Sequence, residues 1–308
     1  MNILGPDYLV FGVDDLDACT QCLHDYGLIK VESGSNGAVF EAMDGTGVIL
    51  RNGSDTSLAK PIAADPNIRE TIYGVADKAT LQAVAAELGK DREVQQHADG
   101  SLRSIDDDGY AIGFQVTTRR KIIAPHYGIN VPGQDYGRAL NVVASVDEEK
   151  YLVRTLSHVV LYTQDKVKSE KFYAERLGFR TVDVFTNVGP FMRPQGTYEH
   201  HTLFLIEAPT LGLNHFTFHF AGANELLKAG WEFSKKGYRS FWGPGRHILG
   251  SNYFWYFNSP FGGCIEFDAD MDIHDDSWKP RYVPADADTS QIFLLQYADK
   301  WSPNKGHD

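Results

Sequence analysis

Cysteine, basic clusters and long apolar runs are all scarce in this sequence, and each shortage excludes something. Its 308 residues include three cysteines, Cys19, Cys22 and Cys264. Three in a chain of this length do not make a disulfide framework. Cys19 and Cys22 form a C-x-x-C pattern, CTQC, but no second pair and no neighbouring Cys/His pair completes a zinc site. The surrounding DLDACTQCLHDYGL reads instead as an amphipathic helix with Leu16, Cys19 and Leu23 on one face. No apolar run approaches the ~20 residues that span a bilayer. The N-terminal MNILGPDYLVFGV has no basic region ahead of an apolar core. A soluble, cytoplasmic protein with no membrane partner is therefore expected. Positive charge is also short. Lys and Arg number 29 against 41 Asp and Glu, for a formal net charge of −12. Arg119-Arg120-Lys121 is the one basic cluster of note, and it reads as a solvated strand end or linker. Phosphate binding needs a basic face, so no nucleic-acid partner is expected.

Apolar residues are plentiful, at 43 %, which is enough for the cores of two ordinary domains or one large one. The chain also echoes itself. Residues 6–29, PDYLVFGVDDLDACTQCLHDYGLI, and residues 156–179, LSHVVLYTQDKVKSEKFYAERLGF, each read as apolar strand, polar turn, helix and glycine stop. In register, Tyr8 falls opposite His158. A second echo pairs residues 70–90 with 214–237 and sets Thr71 roughly opposite His215. A third pairs 106–116 with 258–270 and sets Gly113 opposite Glu266. Each half thus reads as two β–α–β–β–β units. A linker is expected near 130–150, where INVPGQDYGRALN is rich in Gly, Pro and Asn. The expected domains are 1–135, a structural repeat that binds no metal, and 150–308, a metal-binding catalytic domain with a C-terminal tail. The acidic, proline-bearing tail from about 270 reads as irregular structure docked through Trp278 and Tyr282.

The echo is asymmetric in its chemistry. His158, His215 and Glu266 lie in strand-like runs of the second half, and Tyr8, Thr71 and Gly113 stand opposite them. A duplicated fold with two histidines and a glutamate in one copy suggests one working site and one structural copy. Two neutral imidazoles and one carboxylate on one face of an ion form the facial triad of non-haem Fe(II). Three protein ligands leave three adjacent positions open, where a diol can chelate beside O₂. The ligand charge of −1 leaves a divalent site cationic, which attracts an anionic chelator. Taken singly, a histidine at a strand start is more often a hydrogen-bonded core or surface residue. The matched set carries more weight than any member.

Residues 245–266 carry a longer pattern. Gly245-Arg246-His247 is followed by seven residues, then Trp255-Tyr256, then Ser259-Pro260-Phe261-Gly262, and finally Glu266. This resembles the signature of the type I extradiol ring-cleaving dioxygenases, of the vicinal oxygen chelate superfamily, and the resemblance covers essentially the whole chain. Trp255 and Ser259 depart from it, at positions that hold no ligand. The resemblance implies an α+β fold, two domains each of two βαβββ modules forming open β-barrels. It implies His158, His215 and Glu266 as ligands of Fe(II), with Mn(II) possible. It further implies His201, in EHHTLFL, as acid/base, and His247 and Tyr256 as a pair beside the substrate hydroxyl. His201 is preferred to His200 because strand alternation cannot aim both inward. His219, four residues after His215, reads as a packed histidine behind the ligands. The implied reaction is extradiol cleavage of a catechol by O₂ to a muconic-semialdehyde-type product, with catechol and O₂ as partners and a homo-oligomeric assembly.

The alternative is another metal enzyme on this fold, a glyoxalase- or isomerase-like protein or a relative of hydroxyphenylpyruvate dioxygenase. The former often draw ligands from both halves, against which Tyr8 and Gly113 argue. Phe191, Phe204, Trp242 and residues between 247 and 256 are expected as pocket walls. The apolar run after His247, ILGS, suits a catechol without a charged substituent.

Overall fold

The computed structural model describes residues 1–62, 64–65, 67–123, 128–143, 151–286 and 288–295. Four times over, an apolar strand turns into a helix and returns through three strands. The first module comprises β1 (Ile3–Val13), α1 (Leu16–Tyr26), β2 (Ile29–Gly34), β3 (Gly37–Glu41) and β4 (Gly47–Asn52). The second comprises β5 (Ile68–Val75), α2 (Lys78–Leu88), β6 (Gln95–Gln96), β7 (Leu102–Ile105) and β8 (Ala111–Val116). The third runs through β9 (Thr155–Thr163), α3 (Lys166–Lys171), which continues into a π-helical turn at Phe172–Arg176, β10 (Phe179–Phe185), β11 (Gly189–Pro194) and β12 (Leu203–Glu207). The fourth is β13 (Gly212–His219), α4 (Ala223–Lys235), β14 (Ser240–His247), β15 (Tyr253–Asn258) and β16 (Cys264–Ala269). Three of the four helices start alike: the side chains of Asp15, Asp77 and Asp165 accept backbone N–H groups of the first turn. Such caps satisfy donors that the helix itself cannot. The C-x-x-C cysteines both lie on the buried face of α1, and all three cysteines are free. Burial pushes the Cys19 thiol up to about 12, so it behaves as a packing residue.

The modules pair into two sheets of matching order. One runs β2-β3-β4-β1-β5-β8-β7-β6. The other runs β10-β11-β12-β9-β13-β16-β15-β14 and adds a strand at each end. In every module the last strand lies parallel to the first, and the two modules of a sheet meet antiparallel, β1 on β5 and β9 on β13. Among the described residues the end strands do not pair with one another, so both sheets are open. The added strands are β17 (Arg281–Val283), parallel to β10, and β18 (Gln291–Leu294), antiparallel to β14. They correct the expectation of a purely irregular tail, because their backbones fill sheet edges. Trp278 docks as expected, stacking on His274 and donating from Nε1 to the Val182 carbonyl at 3.1 Å. Tyr282 is instead exposed. Residues 144–150 of the expected linker, and residues 296–308, lie outside the described residues.

Strand register sharpens the internal equivalence. Thr217 of β13 lies between His158 on β9 and Glu266 on β16, and Ile72 of β5 lies between Tyr8 on β1 and Gly113 on β8. His215 pairs with Val160, and it is Glu70 that pairs with Val10. The counterpart of His215 is therefore Glu70, one residue from the Thr71 expected. Both strand pairs carry bulges, which shift register without a sequence signal. In the first sheet a Glu70–Arg103 ion pair fills this face. Gly113 leaves room for it, since a Cβ there would meet Glu70 Oε1 at 2.5 Å.

The two halves also grip each other. A bulge between Thr217 and Phe218 frees the Phe218 N–H from the ladder. Tyr26 of α1 accepts that N–H at 2.9 Å and donates to the Glu266 carbonyl at 2.5 Å. Its ring packs edge-on against Phe220 and Phe267.

Candidate metal centre

β9, β13 and β16 are adjacent, and side chains two apart on a strand share a face. His158 and Glu266 flank Thr217 from either side, and His215 precedes Thr217 by two. All three side chains therefore emerge on one face within three neighbouring strands. They are buried, and one ligand atom from each lies within 4.8 Å of the others. Glu266 Oε2 is 3.1 Å from His158 Nε2 and 3.3 Å from His215 Nε2, and the two Nε2 atoms are 3.3 Å apart.

What lies behind the rings decides what they present. Asn214 donates from Nδ2 to the Tyr162 hydroxyl at 2.7 Å, so its Oδ1 is left to accept from His215 Nδ1–H at 2.5 Å. Ser157 donates to Asp268 Oδ2 at 3.1 Å and accepts from His158 Nδ1–H at 2.9 Å. A neutral imidazole protonated at Nδ1 has a bare Nε2. Two nitrogen lone pairs thus point at a carboxylate. Neither oxygen of Glu266 accepts a hydrogen bond of ordinary geometry, although its side chain is fully buried. Three converging lone-pair donors with no proton between them repel one another until a cation sits among them. The donor set, two imidazoles and one carboxylate, fits a divalent transition-metal ion.

His158 and His215 line a pocket together with His201, His247, Tyr256, Asn252 and Ser290. Phe185, Phe191, Phe204, Trp242 and Leu249 supply its apolar walls. The Phe191 and Phe204 rings, opposite one another on β11 and β12, stack at 3.8 Å. His201 packs its ring 4.2 Å from that of His158, and burial and then His158 hold it well below the usual histidine range, hence neutral. His247 ends β14 and Tyr256 sits on β15 directly across from Glu266. His247 Nε2 lies 3.2 Å from the Tyr256 hydroxyl and 3.6 Å from Glu266 Oε1. Burial and the neighbouring Glu266 push the Tyr256 phenol well above its ordinary value, which keeps its proton available for donation.

His200, the neighbour of His201, does not line the pocket. It bonds Asp183 and His201. His219 lies behind the ligands, between Asp268 Oδ1 at 3.0 Å and Glu199 Oε1 at 3.3 Å. Burial opposes its charge, but these two carboxylates raise its pKa well above the histidine norm. Sequence reasoning missed Asn214, Ser157, Asp268 and Asp183, and it covered Asn252 as part of the wall expected between 247 and 256 without singling it out. Asp268 had a signal, being two residues past Glu266 in the apolar CIEFDA and so on the same strand face. Asn252 had none of its own. Both polar atoms of its side chain are buried and unpaired, and it lines the pocket.

No helix among the described residues is long and apolar enough to cross a membrane. Residues 155–267 match the profile of the Glyoxalase/Bleomycin resistance protein/Dioxygenase superfamily. Metapyrocatechase 2 of Cupriavidus necator is 36 % identical over 137 residues, which span 44 % of this chain and 40 % of that protein. A Mn(II)-bound glyoxalase from Novosphingobium aromaticivorans superposes with a TM-score of 0.75 at 20 % identity, covering 99 % of this chain and 93 % of that one. Homoprotocatechuate 2,3-dioxygenase from Arthrobacter globiformis superposes with a TM-score of 0.71 at 19 % identity, covering 94 % and 87 %. The paired modules and their strand order are thus those of a known architecture, and residues 155–267 are similar to the Glyoxalase/Bleomycin resistance protein/Dioxygenase superfamily.

Proposed function

We propose that this protein cleaves the ring of a catechol-type diol with O₂ by the extradiol route, at a mononuclear non-haem Fe(II) held by His158, His215 and Glu266. The product would be of the muconic-semialdehyde type. One observation carries the reading: two bare imidazole nitrogens and an orphaned buried carboxylate converge at the floor of a pocket walled by aromatic rings. The match to metapyrocatechase 2 over 137 residues supports it. Bound there, Fe(II) would supply Lewis acidity towards the diol and an electron path from diol to O₂, with Mn(II) acceptable to the same ligands.

The chain's own residues do the rest. Phe191 and Phe204 present a stacked wall against which an aromatic ring can lie. Among the described residues no Lys or Arg lines the pocket, which favours a catechol without an anionic substituent. Asn252 offers an unsatisfied amide to a polar group of the substrate. His201, neutral and beside His158, is placed to take a proton from a substrate hydroxyl and to return it. Tyr256 and His247, 3.2 Å apart, line the same pocket and can donate to a bound oxygen. The counterpart face of the first sheet, where Tyr8, Glu70 and Gly113 stand and Arg103 pairs with Glu70, disfavours chemistry that draws ligands from both halves.

The test is anaerobic loading with Fe(II) or Mn(II), followed by oxygen uptake with a panel of neutral and carboxylated catechols. A yellow ring-fission product, formed fastest from an uncharged catechol, is expected. Bound metal with no oxygen uptake on any catechol would refute the proposal.

A further inference from the structure

His201 can accept a proton from a ligand only through a bare ring nitrogen. Its Nδ1 is occupied by His200 Nδ1 at 3.0 Å, which leaves Nε2 as the nitrogen free to meet a ligand. Two nitrogens that share one hydrogen bond share one proton, and the side on which it sits fixes both tautomers. The answer comes from residues outside the pocket.

Asp183, fully buried on β10, anchors the chain. Arg281 of β17 donates its backbone N–H to Asp183 Oδ1 at 2.8 Å and its guanidinium to Oδ2 at 2.5 Å. Burial would raise the Asp183 carboxyl, but hydrogen bonds from His200 and Arg281 hold it at about 2. An ionised carboxylate only accepts, so the 2.8 Å contact between Asp183 Oδ2 and His200 Nε2 requires a proton on Nε2. Burial holds the His200 imidazole below its ordinary value in spite of Asp183, so the ring is neutral and its Nδ1 is bare. The proton between the two rings then belongs to His201 Nδ1.

We propose that Asp183 and His200 are positioning residues that hold His201 in the Nδ1–H tautomer, so that its bare Nε2 faces the substrate. Arg281 completes the device and gives the C-terminal segment a part in it. The catalytic consequence rests on the reading of the pocket as a catechol site, but the tautomer itself does not. Asp183→Asn reverses the chain in a nearly isosteric way. With the oxygen at the Oδ1 position, where the Arg281 backbone N–H and Nε–H already donate, the amide N–H replaces Oδ2 and faces His200 Nε2; the terminal guanidinium N–H on Oδ2 turns away, His200 then donates from Nδ1, and His201 is left with Nε2–H. A wrong-tautomer imidazole is a poor base although its position is unchanged.

The experiment is nitrogen-15 NMR of histidine-labelled, Zn(II)-loaded protein, with the His200 and His201 signals assigned through His200→Asn and His201→Asn. In the parent protein we expect His200 protonated at Nε2 and His201 at Nδ1, with His201 Nε2 bare. In Asp183→Asn the His201 signals should switch to Nε2–H. With Fe(II), kcat should fall by about 10²–10⁴-fold while KM and metal content hold. A His201 Nε2–H tautomer in the parent protein would overturn the proposal, as would a kcat loss in Asp183→Asn with unchanged tautomers. If the parent protein consumes no oxygen with any catechol, the proposed function falls, and the spectra still decide the tautomer.

Discussion

Asp268→Asn isolates the contribution of what lies behind the metal ligands. Asp268 Oδ2 accepts from Ser157 at 3.1 Å, Ser157 accepts from His158 Nδ1–H at 2.9 Å, and Asp268 Oδ1 accepts from His219 at 3.0 Å. An asparagine has one acceptor oxygen for two donors, so one bond is replaced by a donor facing a donor. If the Ser157 arm fails, His158 is free to carry its proton on Nε2, the nitrogen aimed at the ion. Loss of such a supporting carboxylate weakens metal binding by about 10–100-fold. That corresponds to ~1.4–2.7 kcal/mol. Anaerobic competition with a chelator measures it directly, for Fe(II) and for Mn(II). The same deficit should appear as a smaller metal-induced rise in melting temperature, because a ion that binds only the folded state stabilises it through its affinity. Glu266→Gln sets the other end of the scale: without the one charged ligand, stoichiometric binding should be lost. Parent-like affinity in Asp268→Asn would refute the tautomer argument, and full metal retention in Glu266→Gln would refute the triad.

Three further outcomes follow from named contacts. Asn252→Leu removes an amide that has no partner among the described residues; KM for the best catechol should rise about 5–30-fold, the equivalent of one hydrogen bond, with melting temperature unchanged or higher. An unchanged KM would mean that Asn252 touches no substrate. Tyr26→Phe strips the acceptor from the Phe218 N–H and a donor from the Glu266 carbonyl, and urea unfolding should show a loss of about 1–3 kcal/mol; no loss would mean the two halves do not lean on this contact. Asp106 has a carboxyl raised to about 7 by burial and then by Asp108, against the pull of Tyr173 and the Tyr110 N–H. A folded-state pKa above the unfolded one favours the protonated form, so its stabilisation is complete at low pH and lost as pH rises towards 7. The stability of the parent relative to Asp106→Asn should therefore fall by about 2–3 kcal/mol between pH 5 and 8, and a pH-independent difference would show that the group is not held neutral.

Local rules explain why much of the fold could be read. An apolar strand and a glycine stop recur in the sequence at matching places, and an aspartate cap recurs in three of the four modules, because helix ends leave backbone groups that such residues satisfy. The convergence of His158, His215 and Glu266 was legible for a different reason. Duplication supplied an internal control, and polar residues present in one copy alone stood out against Tyr8 and Gly113. By itself the sequence thus determined the modules, their order and the three residues that meet. Only the tertiary structure decided the rest. The true counterpart of His215, Glu70, was one residue away because a bulge adds a residue to one strand and leaves no mark in composition. The strands β17 and β18 exist because sheet edges offered unpaired backbone, which no segment carries in its own sequence. Strand alternation separates His200 from His201 but does not say what each ring bonds. The proton on His201 depends on Asp183 from β10 and Arg281 from β17, which lie 98 residues apart and meet through chain folding. A tautomer is set by the last partner in a hydrogen-bonded chain, and that partner is known only once the strands have been laid side by side.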